Sequence, residues 1–439
     1  MRPARGLAVA ALAAALATLS ALAGCSTSEP IPAGPPSLAT PTVNTPGSVA
    51  PPAEAPARPL PARPLRWEPV ALPAGVAPIR LAAEGDRVLI GGQAAQARPT
   101  MYAVSGSAEP RALTLKPDPR SPYAAIARWH SLELRDQRLT AIGGAPGGAH
   151  ANTRWTVWDA DLSGDLSGDL SGDPAQTRII ERPQTFETFG GWSAGGLVDA
   201  VATTQGRYLV GSWNGVTGLD IAVWRERELR WERGDSAGTP LASSRSALTG
   251  AVAATSTGPA ILVAGSVTHL DGPPRRAAAV WRSTSGDTGW TRLDLPDPGR
   301  ASEARSAACT TDGCVVAGVV DGRYALWWVP SVGAPTRVGG VPERAVGARL
   351  SVPAPLLRGQ QLWCPIGGEI LERANGSWSV RTGPSARTGP SAPAGPELLD
   401  VVATPAIVYA IVGTPGAPTS AQLWRTTWAE SGTFGEEAG

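Results

Sequence analysis

"DAVATTQGRYLVGSWNGVTGLDIAVWRERELRWERG" occupies residues 199–234, and its pattern returns along the chain. An alternating small-apolar run turns at a glycine and leads into a second run that ends in Gly211. A variable loop follows, then an aromatic run, a turn and a short last run. The same order holds in "GAVAATSTGPAILVAGSVTHLDGPPRRAAAVWRSTSGDTGWTRLDLP" (250–296) and in "SAACTTDGCVVAGVVDGRYALWWVPSVGAPTRVGG" (306–340). Short runs of β-branched, small and aromatic residues between Gly, Pro and Asp turns read as strands. Each unit is therefore expected to be a four-stranded meander, A to D.

The glycine that ends strand B can be followed as Gly91, Gly143, Gly211, Gly265, Gly318, Gly367 and Gly413. The spacing is about 50 residues, the period of propeller blades, with one longer step that contains a low-complexity insertion. The expected fold class is all-β: a seven-bladed β-propeller. Its seventh unit, "DVVATPAIVYAIVGTPGAPTSAQLWRTTW" (400–428), supplies strands A to C and then ends in the polar "AESGTFGEEAG". The missing strand is found at the other end, in "RWEPVALP" (66–73), where Trp67, Val70, Leu72 and Pro73 echo Trp290, Leu293, Leu295 and Pro296. The ring is expected to be closed by this N-terminal strand completing the last blade. Closure matters because an open ring leaves a strand edge free to pair with other chains.

The N-terminus reads as an export signal. "MRPARG" is basic, "LAVAALAAALATLSALA" is apolar with small residues at its end, and "LAGC" (22–25) follows. The last resembles the bacterial lipobox, which implies cleavage before Cys25, diacylglyceryl modification of its thiol and anchoring on the outer face of the cell membrane. Two acyl chains give stable attachment where one is marginal. An ordinary cleaved signal with an incidental cysteine is the alternative. Residues 1–24 are thus expected to be a signal peptide and 25–65 a Pro/Ala-rich tether that cannot bury enough apolar surface to fold. The propeller would span 66–428 and a disordered tail 429–439. Formal net charge is +1 and Lys116 is the single lysine among abundant arginine, alanine, glycine and proline. That usage suggests a GC-rich, actinobacterial type of genome, and the balanced charge does not point to nucleic acid.

"WRSTSGDTGWTRLDLP" (281–296) resembles the Asp-box, or BNR, repeat of sialidase-like propellers, in degenerate form. Aligned on the tryptophan, Ser283 and Trp290 match; aligned on the turn, Ser285, Asp287 and Gly289 match. The resemblance implies fold, since Asp-boxes are structural turns. A sialidase would also need an arginine triad, a tyrosine activated by a glutamate and an acidic donor. No "RIP" motif is present, and Tyr102, Tyr208, Tyr324 and Tyr409 fall within expected strands. No catalytic residue is assigned. A carbohydrate-active hydrolase or lyase is kept as the alternative, to be favoured by paired, partly buried carboxylates facing the central cavity.

Of the remaining cysteines, Cys309 and Cys314 flank an expected A–B turn and are expected to form a disulfide, with a redox-active pair as the alternative. Cys364 reads as a buried lone thiol. His130, His150 and His269 lack ligand spacing. Asp161, Asp165, Asp169 and Asp173 in "DLSGDLSGDLSGD" depart from known calcium loops and read as a flexible insertion. No cofactor or metal is expected.

Most tryptophans on C strands (Trp158, Trp224, Trp281, Trp327, Trp424) and D strands (Trp231, Trp290, Trp378) are expected to pack between blades. Trp192 differs, lying with Phe186 and Phe189 in the long connection "TFETFGGWSAGG" (185–196). B–C and D–A loops emerge at one end of the ring, and loops on a rigid scaffold are where recognition sits. That end also carries Arg98, Arg154, Arg275, Arg276 and Arg323 beside B–C loops, with Arg128, Arg245 and Arg305 before A strands. The expected function is non-catalytic binding by a monomer of an envelope protein or an anionic cell-wall polymer through Trp192, Phe186, Phe189, Arg275, Arg276, Arg323 and Arg305. On lipidation, metabolic labelling with a fatty-acid analogue is expected to tag the wild type and not Cys25→Ser.

Overall fold

The computed structural model describes residues 62–147, 152–163, 177–347, 351–384 and 396–428. Seven antiparallel sheets follow one another along the chain. Blade one is built from Ala77–Glu84, Arg87–Gln93, Pro99–Ser105 and Arg111–Ala112. Blade two comprises Arg128–Arg135, Arg138–Pro146, Thr153–Asp161 and Arg178–Glu181. Blade three has Ala194–Thr203, Gly206–Asn214, Leu219–Arg227 and Arg230–Arg233. In blade four they are Ala247–Thr257, Ala260–His269, Arg275–Arg282 and Thr291–Asp294, and in blade five Ser302–Cys309, Gly313–Val320, Arg323–Pro330 and Thr336–Arg337. Blade six contains Leu356–Arg358, Gln361–Ile366, Glu369–Ala374 and Ser377–Thr382. Glu397–Ala403, Ile407–Thr414 and Ala417–Thr427 belong to blade seven. The protein is an all-β, seven-bladed propeller. The expected signal peptide, lipobox and tail, the expected tether as far as residue 61, His150, and the repeats at 165–173 and 385–392 lie outside the described residues, whereas residues 62–65 of the expected tether are described.

Strand D of blade seven comes from the N-terminal segment. Glu68–Val70 pairs antiparallel with strand C, setting Glu68 opposite Arg425 and Val70 opposite Leu423. The paired segment reaches further back than Arg66, because Ala62–Pro64 runs parallel to strand D of blade six. Between the two, Trp67 Nε1 donates to Thr382 O in blade six at 3.1 Å, and Thr426 Oγ1 of blade seven donates to Arg66 O at 2.9 Å. One strap therefore covers two outer edges. Thr114–Lys116 likewise runs parallel to strand D of blade two. These two five-stranded blades have no counterpart in the repeat pattern.

The repeated strand-B glycine has a steric cause. In blades one to five and seven, the register of strand A skips one residue, at Ile79, His130, Val198, Val252, Arg305 and Leu399. Such a bulge pushes backbone toward the partner strand. A Cβ on Gly211, Gly265 or Gly318 would lie 2.3, 1.9 or 2.1 Å from the carbonyl oxygen of Gly196, Gly250 or Glu303. At Gly91, Gly143 and Gly413 a Cβ would instead meet Trp129, Thr156 and Ala421, and Gly367 falls just after strand B, in a turn at φ 56°.

Cores form between blades. Trp158, Trp224, Trp281 and Trp327 on C strands are all buried. Buried indole N–H groups need acceptors. Those of Trp224, Trp281 and Trp327 donate to Thr188 O, Pro240 O and Pro296 O at 3.0, 2.8 and 2.9 Å, each in the connection that leads into the same blade. Blades two and three are further tied by a buried ion network. Asp159 pairs with Arg182 and Arg207, and Arg207 pairs with Glu226. Deleting residues 66–73 is expected to bare the edge of blade seven and cause concentration-dependent aggregation, read by light scattering. Trp67→Phe, which removes one hydrogen bond, is expected to cost about 1 kcal/mol in denaturant unfolding.

Candidate functional site

Three places carry the chemistry at issue: the hairpin holding the disulfide, the strands around the central axis, and the end of the ring where B–C and D–A loops emerge. At the first, Cys309 and Cys314 are directly opposed in the register of strands A and B of blade five, with Cα atoms 4.0 Å apart, and form a disulfide. Cys364 is buried beside the Tyr324 hydroxyl, and burial pushes its thiol pKa up to about 12. A thiol so hard to ionise is a poor nucleophile.

The A strands of successive blades adjoin around the axis. The residue that follows each bulge reaches into the next blade. Asp199 Oδ2 accepts from Ala254 N at 3.1 Å, Asp400 Oδ2 from Leu81 N at 2.9 Å, and Ser131 Oγ from Ala200 N at 3.1 Å. Ser131 Oγ also donates to Asp199 Oδ1. Arg80 Nε donates to His130 O at 2.7 Å, and Ser306 Oγ donates to Pro353 O at 3.0 Å. In blade four the position is Ala253, which has no polar group to offer. Further along strand A of blade two, Glu133 Oε1 accepts from Ala202 N at 3.1 Å.

Half-buried carboxylates therefore do stand on the A strands that adjoin around the axis. Burial, only partly offset by hydrogen bonds, raises Asp199 to about 6 and Glu133 to about 8, the latter also through the Asp199 charge. Asp400 is raised by burial as well. Each of the three carboxylates accepts a backbone N–H of the next blade, so it acts as a clasp between blades. Among the described residues no cluster of three His, Cys, Asp or Glu is arranged to hold a metal ion.

At the loop end, the connection 182–193 is pinned at several points. Arg182 pairs with Asp159, Gln184 Nε2 donates to Trp155 O at 2.8 Å, and Trp224 Nε1 donates to Thr188 O. Ser193 O accepts from Asn214 N at 2.7 Å. Phe189, expected among the ligand contacts, is buried instead, edge-on to Trp224 at 5.6 Å between ring centroids. The sequence could not separate it from Phe186, which stands in the same short helix, Phe186–Phe189, and is 52% exposed with Arg154 stacked 4.5 Å above its ring. Trp192 is 96% exposed. Val216 (99%), Leu219 and Leu270 are also exposed at this end of blades three and four. The repeat pattern missed these three, because an apolar residue in a loop reads like the edge of a strand. Beside Phe189 a cleft of ≈ 280 Å³ is lined by Arg154, Trp155, Gly190, Gly191, Gly195 and Gly196, among others.

Three of the four arginines expected to contact a ligand at this end are compensated by carboxylates. Glu303 accepts from Arg276 at 3.1 Å and from Arg305 at 3.0 Å, and Arg323 pairs with Glu343. Arg305 lies inside strand A of blade five, at its bulge, and not before the strand. Arg275 is exposed at the start of strand C of blade four. The exposed character of this end is thus apolar and aromatic more than positive.

No family model matches the chain, and no curated protein matches it. Several solved structures superpose on it. YCF48 bound to D1 peptide does so at 13% identity and a TM-score of 0.46, over 84% of this chain and 99% of that one. A phage phi92 endosialidase aligns at 10% identity and 0.43, over 83% and 69%. A prolyl endopeptidase structure aligns at 12% and 0.45, over 79% of this chain and 48% of that one. The likeness is one of architecture alone.

The raised carboxylates give a signed pH dependence. A carboxyl whose folded pKa is raised favours the protonated folded state, so its contribution is present at low pH and lost as pH rises through the folded value. Resistance to urea is therefore expected to fall between about pH 5 and 9, spanning the values of Asp199 and Glu133. In Glu133→Gln, whose amide oxygen can still accept from Ala202 N–H, the difference between the two pH values is expected to shrink.

Proposed function

We propose that this protein is a lipid-anchored, extracytoplasmic binding module that recognises an envelope protein through the loop end of blades two to four. One observation carries the reading: Trp192 is almost fully exposed on a connection whose neighbours are tied down on both sides. An indole held out on rigid backbone loses little conformational entropy on binding, and tryptophan is the most frequent interface hot spot. Val216, Leu219 and Phe186 are further exposed apolar residues at the same end of the ring. Contiguous exposed apolar area on a soluble domain marks interaction sites. A protein surface fits such a face better than an anionic cell-wall polymer, because the carboxylates of Glu303 and Glu343 already compensate several of its arginines. The anchor at Cys25, with export ahead of it, rests on the "LAGC" motif.

The rival reading, a carbohydrate-active hydrolase, is supported by one observation, the raised Glu133 and Asp199 on the A strands around the axis. Their use as clasps between blades weighs against it.

A photo-reactive residue at position 192, in intact cells, is expected to crosslink a discrete protein partner. Trp192→Ala combined with Val216→Asp is expected to weaken binding to that partner by tenfold or more, since a hot-spot residue contributes about 2 kcal/mol. The loss is expected to depend little on salt. Unchanged affinity in the double variant would remove this face from consideration, and turnover of a cell-wall glycan that disappears in Glu133→Gln and Asp199→Asn would establish the rival.

A further inference from the structure

We infer that Arg80, Arg128 and His130, where the A strands of blades one and two adjoin, form an oxyanion-binding subsite distinct from the Trp192 surface. Arg80 sits just after the bulge of blade one. Its Nε donates to His130 O at 2.7 Å and its Nη1 to Ile79 O at 2.9 Å. A guanidinium has five N–H donors, so these two bonds fix its orientation and leave donors over. Arg128 and His130 come from the neighbouring strand, at the start and at the bulge of strand A in blade two, and each is crowded by its neighbours while keeping part of its surface open to solvent.

The imidazole is held in place. It lies edge-on to Trp155 with ring centroids 4.8 Å apart, and a Cβ on Gly144 would come within 2.8 Å of its Nε2. Trp155 in turn lines the cleft beside Phe189.

Charge at these three residues is unbalanced locally. Among the described residues no carboxylate comes within ion-pair distance of Arg80 or Arg128. Arg80 feels Asp199 and Asp400 at longer range, but both acids are occupied by backbone N–H groups of neighbouring blades. Glu303 belongs to Arg276 and Arg305. Burial against its neighbours, with the Arg80 and Arg128 charges, holds His130 down to about 4, and burial together with Arg80 lowers Arg128. Like charges that depress one another's protonation are relieved by an anion placed between them. The planar forks of two arginines match a carboxylate or phosphate group.

The ligand chemistry is a single oxyanion on a larger molecule, and the test separates its two sources. His130 is followed by NMR in the full-length protein, assigned through His130→Gln, during titration with inorganic phosphate or with acetate at constant ionic strength. Saturable movement of His130 with a rise in its pKa, while His269 stays still, is the expected result. Saturation by phosphate assigns a phosphorylated ligand; saturation by acetate alone assigns a carboxylate. Arg128→Ala, on an exposed residue outside the inter-blade clasps, is expected to weaken the response by roughly tenfold, the loss of one charged hydrogen-bond donor set. Arg128→Lys is expected to restore part of it, and Arg245→Ala none of the loss. Movement of His130 no larger than that of His269, or an Arg128→Ala response equal to wild type, overturns the subsite. Trp192→Ala is expected to leave the titration unchanged, so failure of the protein-binding surface and failure of this subsite are read separately.

Discussion

The ring depends on a bond that does not lie within any blade: the side chain after the strand-A bulge, reaching the backbone of the next blade. The innermost strand of a propeller blade has a free edge, and buried or half-buried N–H groups on that edge need acceptors. Asp199, Asp400 and Ser131 supply them, while Arg80 and Ser306 make the reciprocal bond to carbonyls. The bulge makes this possible by turning the following residue toward its neighbour. In blades three to five, glycine on strand B gives strand A the room its bulge needs, because a side chain there would strike strand-A backbone. Glycine, bulge and clasp occur together in blades three and five, and the clasp recurs beside the bulge in blades one, two and seven.

Two consequences follow from placing carboxylates there. Each is desolvated while carrying out a structural task, so its protonated form is favoured and its charge becomes conditional on pH. The same placement imitates an active site. Half-buried acids with raised pKa values are a common mark of catalysis, yet here each has a hydrogen-bonding partner in the adjoining blade. The partner, more than the pKa, separates a clasp from a general acid.

Outside the axis, tryptophan does the corresponding work. The C-strand indoles bury their rings between blades and donate their N–H groups to the connection that enters the same blade. This holds the loop end still. Trp192 and Phe186 are then presented from a fixed base, and their exposure is a property of the scaffold and not of a loose loop.

Much of the architecture was legible in the chain alone. Alternating runs, turn residues and the recurrent glycine determined the four-stranded meander, the number of blades and their period, though not the added strands at Ala62–Pro64 and Thr114–Lys116, and the misplaced "RWEPVALP" revealed how the ring closes. The cysteine pair was legible because a tight antiparallel turn brings its ends together regardless of the rest of the fold. Local signals sufficed wherever the constraint was local. Tertiary structure alone decided which side of each element faces a neighbouring blade. It buried Phe189 and exposed Phe186 three residues away, placed Arg305 within a strand, and paired Arg276 and Arg305 on the single carboxylate of Glu303. It also carried Ala62–Pro64 to blade six before Glu68–Val70 enters blade seven. Those outcomes depend on contacts between blades about 50 residues apart or more, where the period of the sequence repeats but the identity of the partner does not.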